Sequence, residues 1–122
     1  MATDPGFLEH VTDIFANLGP IRTGRMFGGT SLYVDDAMFA VIFGDAVYMK
    51  ADPELTQKYA AAGSAAFTYD TKTGPRTIRG LMALPDSAMD DPDEALIWAR
   101  LSLIPAQAAA SIKRRKPAKA AP

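Results

Sequence analysis

The stretch from Arg25 to Lys50, RMFGGTSLYVDDAMFAVIFGDAVYMK, constrains the fold of this chain more than any other segment. It contains short runs of β-branched and aromatic residues separated by turn residues, which is the pattern of an antiparallel meander. Gly44-Asp45 has the Gly-X form of a two-residue hairpin loop, which pairs Ile42 with Val47. The stretch therefore predicts three short strands that follow an irregular turn at Arg25–Gly29.

The register of the first of these strands depends on the turn at Asp35-Asp36-Ala37. A three-residue loop sets Val34 opposite Met38 and leaves one face of the sheet wholly apolar. A two-residue loop would move Tyr33 and Ser31 onto that face, so we prefer three. The apolar face, which a layer of helices would cover, then consists of Leu32, Val34, Met38, Ala40, Ile42, Val47 and Met49.

The other face of this sheet is rich in aromatic residues. It also carries tyrosine hydroxyls and a lysine, so it resembles neither a dry core nor an ordinary solvated surface. A second subunit, a ligand or the chain's own tail would have to cover it, and we expect a second subunit because twofold dimers are the commonest assemblies. The face consists of Ser31, Tyr33, Phe39, Val41, Phe43, Tyr48 and Lys50. The candidate interface residues are Tyr33, Phe39, Val41, Phe43 and Tyr48.

Capping residues and apolar spacing predict two helices on either side of the meander. Asp4-Pro5 begins the first helix and Gly19-Pro20 ends it. Asp52-Pro53 begins a short second helix that ends at Gly63 and lies at the edge of the sheet. Two further antiparallel strands follow it, and Leu84-Pro85 ends the second of them; their predicted ranges are Ala66–Tyr69 and Thr77–Ala83.

A long last helix begins at Asp91-Pro92, where Glu94 completes a capping box. Pro105 lies inside the helix and predicts a kink or a break. Its larger apolar residues form one stripe, Ile97, Leu101, Ile104, Ala108 and Ile112. The element order is helix, three strands, helix, two strands, helix, which predicts an α+β two-layer sandwich with an antiparallel sheet.

Composition limits the chain to one small domain. It has 122 residues and no cysteine, which excludes disulfides and thiolate chemistry. The N-terminus lacks the pattern of a signal peptide, and no window is an unbroken apolar membrane span. We therefore expect a cytoplasmic protein that does not enter a membrane.

Charge is divided between a body and a tail. Five basic residues lie between positions 113 and 119, and the remaining chain has eight basic and fourteen acidic residues, a net charge of −6. We predict a folded domain over residues 1–112 and a basic, disordered tail over 113–122. Such a tail neutralises phosphates weakly and without sequence preference, which makes nucleic-acid contact one alternative function. The candidate contacts are Lys113, Arg114, Arg115 and Lys116.

The sequence contains no recognisable catalytic set, so we predict no catalytic residue, metal site or cofactor. Gly28-Gly29 lacks the following helix of a phosphate-binding loop, and bend-forming glycines are the simpler interpretation. His10 is the single histidine and is interpreted as a surface residue. Arg25 and Lys50 begin and end the meander, and their approach across the sheet would suit a small anionic ligand, a second alternative.

The order of elements and several motifs resemble the TfoX/Sxy N-terminal domain family, from about Phe7 to about Ala110. The motifs are Arg25-Met26-Phe27-Gly28-Gly29, Met38-Phe39, Tyr48-Met49-Lys50, Phe67-Thr68-Tyr69, Leu84-Pro85 and a last helix containing Trp98. The chain departs from the family pattern at Ser31, where glycine is frequent, and at Leu81-Met82, where an aromatic residue is common.

This resemblance implies a two-layer domain similar to secretion-chaperone-like folds. Family members with a second, C-terminal domain regulate natural competence through transcription, together with the cyclic-AMP receptor protein. This chain is too short to hold that second domain. We therefore expect a non-catalytic regulatory or protein-interaction domain that forms a homodimer, and whose partner belongs, by resemblance, to the transcription machinery. The motif residues Arg25, Met26, Phe27, Gly28, Gly29 and Lys50 are the candidate ligand site.

Overall fold

The computed structural model describes residues 4–26 and 28–115. Its helices are α1 (Pro5–Ile14), α2 (Pro53–Ala61), α3 (Asp86–Met89) and α4 (Pro92–Arg115), and a short 3₁₀ helix, Ala16–Leu18, follows α1. Its strands are β1 (Ile21–Met26), β2 (Gly29–Val34), β3 (Ala37–Phe43), β4 (Ala46–Lys50), β5 (Ala66–Thr71) and β6 (Gly74–Ala83). They form one antiparallel sheet in the order β1-β2-β3-β4-β6-β5, and α1, α2 and α4 pack on one face of it. The predicted α+β two-layer class is confirmed.

Strand β1 corrects the prediction of an irregular turn at Arg25–Gly29. The strand runs from Ile21 to Met26, and its hairpin with β2 closes at the pair Met26 and Gly29. Ile21 pairs with Val34 and packs against the core. The strand escaped prediction because it lies at the sheet edge and carries polar residues and Gly24, which interrupt the apolar alternation.

The β2–β3 hairpin combines a wrong prediction with a correct one. Its turn has two residues, Asp35 and Asp36, and Asp35 has a positive φ of 56°, so Val34 pairs with Ala37 rather than with Met38. The register then shifts between Leu32 and Tyr33, as at a β-bulge. Beyond the shift the pairs are those that the three-residue loop would give. The bulge thus supplies the extra residue that we assigned to the turn.

The hairpin between β3 and β4 has the predicted pairing. Ile42 pairs with Val47 and Val41 with Tyr48 around the two-residue turn at Gly44-Asp45. Gly44 has a φ of 60°, which glycine adopts without the steric cost that a side chain would add. Here the local turn signal alone was sufficient.

Helix α4 covers the sheet with its small residues. Ala99 and Ser102 are fully buried against β3 and β4, whereas Ile104, in the predicted apolar stripe, is 63% exposed. Small side chains let the helix lie close to the strands, so the face with the least bulk became the inner face. The inner residues are Ala95, Ala99, Ser102, Ala106 and Ala110.

The course of α4 answers two other predictions. The helix continues through Pro105 without a break, so the splitting that we considered does not occur. It also continues to Arg115, so residues 113–115, which we assigned to the tail, are helical. The predicted disordered tail otherwise falls on residues 116–122, which lie outside the described residues.

A polar contact joins α2 to α4 inside the core. Tyr59 is fully buried, and its hydroxyl lies 2.6 Å from the Ser102 hydroxyl. Its ring stacks on the Trp98 indole at a centroid distance of 4.4 Å. The Trp98 Nε1 donates a hydrogen bond of 3.2 Å to Glu94, so the capping-box glutamate turns toward its own helix instead of the cap backbone. The contacts of Tyr59 with Ser102 and Trp98 therefore attach α2 to α4 more firmly than the few apolar residues of α2 predict.

Candidate functional site

The sheet face turned away from the helices, called the second face below, carries a cluster of four aromatic rings. Phe43 on β3 and Tyr48 on β4 point to this face because their neighbours Ile42 and Val47 point to the helices. The Phe43 ring stacks on Phe67 with centroids 4.3 Å apart, and Phe67 meets Tyr48 edge-on at 4.9 Å. Tyr69 continues the cluster by stacking on Phe67 at 5.7 Å.

The stacking of Phe67 on Phe43 requires the sheet to curl. Strands β6 and β4 separate β5 from β3, so these residues would lie about 14 Å apart in a flat sheet. The pairing between β5 and β6 jumps from Ala66–Met82 to Phe67–Ile78, so residues 79–81 of β6 have no counterpart on β5. This irregularity bends the outer part of the hairpin, Phe67–Ile78, over the second face. We call this segment the arm.

The arm covers part of the face for which we predicted a second subunit. On this face Val41 is fully buried, and Phe43 and Tyr48, which contact Phe67 of the arm, are half-buried. Tyr69, at the outer end of the cluster, stays 42% exposed. Part of the predicted interface is therefore already occupied by a hairpin of the chain itself.

Phe39 does not belong to the second face, which corrects our prediction. It is fully buried in the helix-side core, and its ring meets Phe15 edge-on at 5.3 Å. The bulge opposite Leu32 and Tyr33 is the cause, because an extra residue in β3 turns Phe39 to the same side as Ala40. Phe39 is thus a core residue, and the interface prediction is wrong for this position.

The floor of the second face near β1 contains an unsatisfied hydroxyl. Ser31 is fully buried, and its Oγ has no hydrogen-bond partner among the described residues. It pairs with Gly24, whose missing side chain leaves room for the Ser31 hydroxyl and for the Tyr33 ring. The Arg22 guanidinium lies over the Tyr33 ring at 4.3 Å from its centroid, and forms the rim on this side.

The RMFGG motif has a structural explanation in the part that the structure describes. Gly28 has a φ of 82°, which suits the turn of the β1–β2 hairpin. A Cβ on Gly29 would collide with the Ile42 carbonyl oxygen and the Phe43 ring. The two glycines therefore allow the hairpin to turn and β2 to approach β3, while residue 27 lies outside the described residues.

Arg25 and Lys50 do not meet. Arg25 pairs with Thr30 and Thr30 with Ile42, which places Arg25 on the helix side of the sheet. Lys50 follows Tyr48 by two residues and lies on the second face. Strands β2 and β3 also separate them, and the anionic site that would have joined these two cations is not formed.

Comparison with known families identifies the fold. A family model, the TfoX N-terminal domain, matches residues 13–106. The chain belongs to this family. Comparison with curated proteins found no match. The suspected resemblance is thus confirmed over most of the chain. Family membership supports a domain of regulatory type and no more specific role.

Two of the remaining candidates of this TfoX N-terminal domain are surface residues. His10 is exposed on α1, and Lys113 is exposed near the end of α4. The structure describes Arg114 and Arg115 only as helical, and Lys116 lies outside the described residues, so nucleic-acid contact through these residues stays a prediction. Within residues 4–26 and 28–115, no group of three or more His, Asp or Glu side chains is arranged to hold a metal ion.

Sequence reasoning missed Phe67, the residue that closes the aromatic cluster. Phe67 and Tyr69 alternate along one strand, so their common face was predictable. Which surface that face would meet was not, because the bend in β6 depends on residues whose partners lie on β4: Lys50 pairs with Leu81, and the Ala51 amide donates to the Gly80 carbonyl. Arg22 was also missed, since β1 was not recognised as a strand.

Proposed function

We propose that this chain is a non-catalytic interaction module of a regulatory protein, and that it binds a partner protein on its second face. The observation that carries the proposal is the continuous aromatic cluster of Phe43, Tyr48, Phe67 and Tyr69, on the side of the sheet that has no helices. Family membership supports the regulatory part. The finer expectation, a role in transcription or competence, rests on the same support, and the cytoplasmic location rests on the sequence pattern alone.

The chemistry of the second face suits a protein partner. Tyrosine and arginine are enriched at the energetic centres of protein interfaces, because they combine a large contact area with polar ends that stay hydrogen-bonded. Tyr69 at one rim and the Arg22–Tyr33 pair at the other are side chains of this kind. The half-buried rings between them supply an apolar centre.

The test is affinity capture from the native cytoplasm with matched variants. Arg22→Ala and Tyr69→Glu alter opposite rims without removing a core side chain, and Ile104→Glu on α4 is the control with a charge on another exposed apolar residue. We expect a partner that wild type and the control retain and both rim variants lose. Identical capture by all four proteins, each shown to be folded by circular dichroism, would contradict the proposal.

A further inference from the structure

Helix α4 presents two different faces. Its inner face packs small residues on the sheet, as described above. Its outer face exposes three isoleucines in one line: Ile97 is 59%, Ile104 is 63% and Ile112 is 54% exposed. Leu101, which is half-buried against the core, and the exposed Ala108 lie between them, and we call these five residues the outer stripe. Single exposed apolar residues are ordinary, but a continuous line over about four helical turns indicates a surface that something covers.

The order of residues along the outer stripe is self-complementary. Ile97 stands as far before the Ile104–Pro105 peptide bond as Ile112 stands after it, and Leu101 and Ala108 are related in the same way. If two such helices crossed antiparallel at this point, Ile97 of each helix would therefore lie opposite Ile112 of the other. Leu101 would lie opposite Ala108. An isologous interface around a twofold axis requires this property, because the same patch must fit itself.

Charges at the two ends of α4 favour the same arrangement. Asp91 and Asp93 are exposed at the start of the helix, and Lys113 is exposed near its end. Antiparallel pairing brings the acidic end of one helix beside the basic end of the other, and it also opposes the two helix dipoles. Parallel pairing would bring like charges together.

A groove beside the outer stripe offers space for a side chain of a second helix. It has a volume of about 180 Å³ and lies between α2 and α4, lined on its apolar side by Leu55, Leu101, Ile104 and Pro105. A branched side chain such as isoleucine fits a groove of this kind as a ridge fits between two helices.

We propose that two copies of this chain pair through the outer stripe of α4, antiparallel, with the twofold axis near Ile104 and Pro105. This pairing deepens the interaction role proposed above by assigning the homodimer to the helical side, which leaves the second face for a different partner. A single pair of helices buries less surface than a standard interface, so the dimer is a reversible one that forms at micromolar concentrations or above.

A lipid surface suits α4 less well than a second copy does. From Pro92 to Lys113 the helix is long enough to cross a membrane and has a mean hydropathy of 1.3, but a third of this segment is buried in the protein core. Crossing a bilayer would strip the inner face from the sheet. Binding on an anionic membrane surface would bring the acidic body, of net charge −6, close to like charge.

The first test is sedimentation velocity of the whole chain from about 5 to 500 μM. We expect a monomer–dimer equilibrium that Ile104→Glu weakens at least about a hundredfold, because two carboxylates would be buried near the axis. Tyr69→Glu, the matched charge on the second face, leaves the equilibrium unchanged. A wild type that stays monomeric throughout, or an Ile104→Glu chain that dimerises as wild type does, overturns the proposal.

The orientation is tested by single cysteines, since the chain has none of its own. Ile104→Cys lies near the axis and is expected to form a disulfide-linked dimer on oxidation. Ile97→Cys is not expected to form a disulfide with itself, because its two copies would lie about 22 Å apart. In a mixture with Ile112→Cys, the two variants are expected to cross-link to each other. Efficient self-linking of Ile97→Cys would show parallel helices and overturn the antiparallel assignment. A monomeric wild type that sediments with phosphatidylserine vesicles would overturn self-pairing in favour of a membrane.

Discussion

The ring of Phe67 on β5 stacks on the ring of Phe43 on β3 with centroids 4.3 Å apart, although two strands separate β5 from β3 in the sheet. This contact closes the β5–β6 arm over the second face, and it determines which part of that face remains open. The cluster around it is both a structural contact and the centre of the proposed interaction surface.

Phe67→Ala is expected to release the arm without unfolding the domain. Loss of the stacked ring costs about 1–3 kcal/mol for a half-buried aromatic side chain. Hydrogen exchange should increase in β5 and the outer half of β6, while amides of α1 and α4 keep their protection. Tyr69→Ala, at the exposed end of the cluster, is the control and should change little. Uniformly faster exchange across the domain would show that the arm is not an independent unit.

Tyr59→Phe is expected to destabilise the domain by about 1–2 kcal/mol, because the buried Ser102 hydroxyl loses its side-chain partner. Adding Ser102→Ala should recover part of this loss, since no unpaired hydroxyl is then buried. Urea unfolding followed by the fluorescence of Trp98, the single tryptophan, measures both variants. Strictly additive losses in the double variant would argue against coupling of the two hydroxyls.

Stability is expected to fall at alkaline pH through Tyr59. Burial raises the pKa of its hydroxyl well above the usual value, and the Ser102 hydrogen bond offsets only part of this effect. The unfolded chain releases the proton near pH ~10, whereas the folded chain retains it. The contribution of Tyr59 to the free energy of unfolding is therefore complete below pH ~10, and it decreases as the pH rises above that value. Unfolding free energies at pH 8 and 11 should differ less in Tyr59→Phe than in wild type.

Gly29→Ala is expected to destabilise the β2–β3 pairing by more than about 2 kcal/mol, because its Cβ would collide with the Ile42 carbonyl oxygen and the Phe43 ring. Gly80→Ala is the matched control, since its Cβ would meet only the Ala51 carbonyl oxygen at an ordinary 3.8 Å. Thermal unfolding of both variants measures the difference. Equal melting temperatures would contradict the close-approach explanation of the motif.

Local signals were sufficient where a turn or a cap determines the structure by itself. Gly44-Asp45 set the β3–β4 register residue by residue, and Asp4, Asp52 and Asp91 begin helices through side-chain hydrogen bonds to backbone amides. The predicted β2–β3 register beyond Leu32 was correct for a different reason. Burial of one apolar face favours this register whatever the length of the turn. Phe39 was misplaced since a bulge leaves no pattern in the alternation.

The sequence alone determined the class of the fold, the family and most strand pairings, because these depend on neighbours along the chain or on one hairpin. Tertiary structure decided which face of each element is covered. Helix α4 buries four of its alanines and exposes its isoleucines because close packing on the sheet favours small side chains, a criterion that apolar periodicity does not contain. Phe67 reaches Phe43 because β6 bends at residues 79–81, which have no counterpart on β5. The two proposed surfaces depend on these nonlocal contacts.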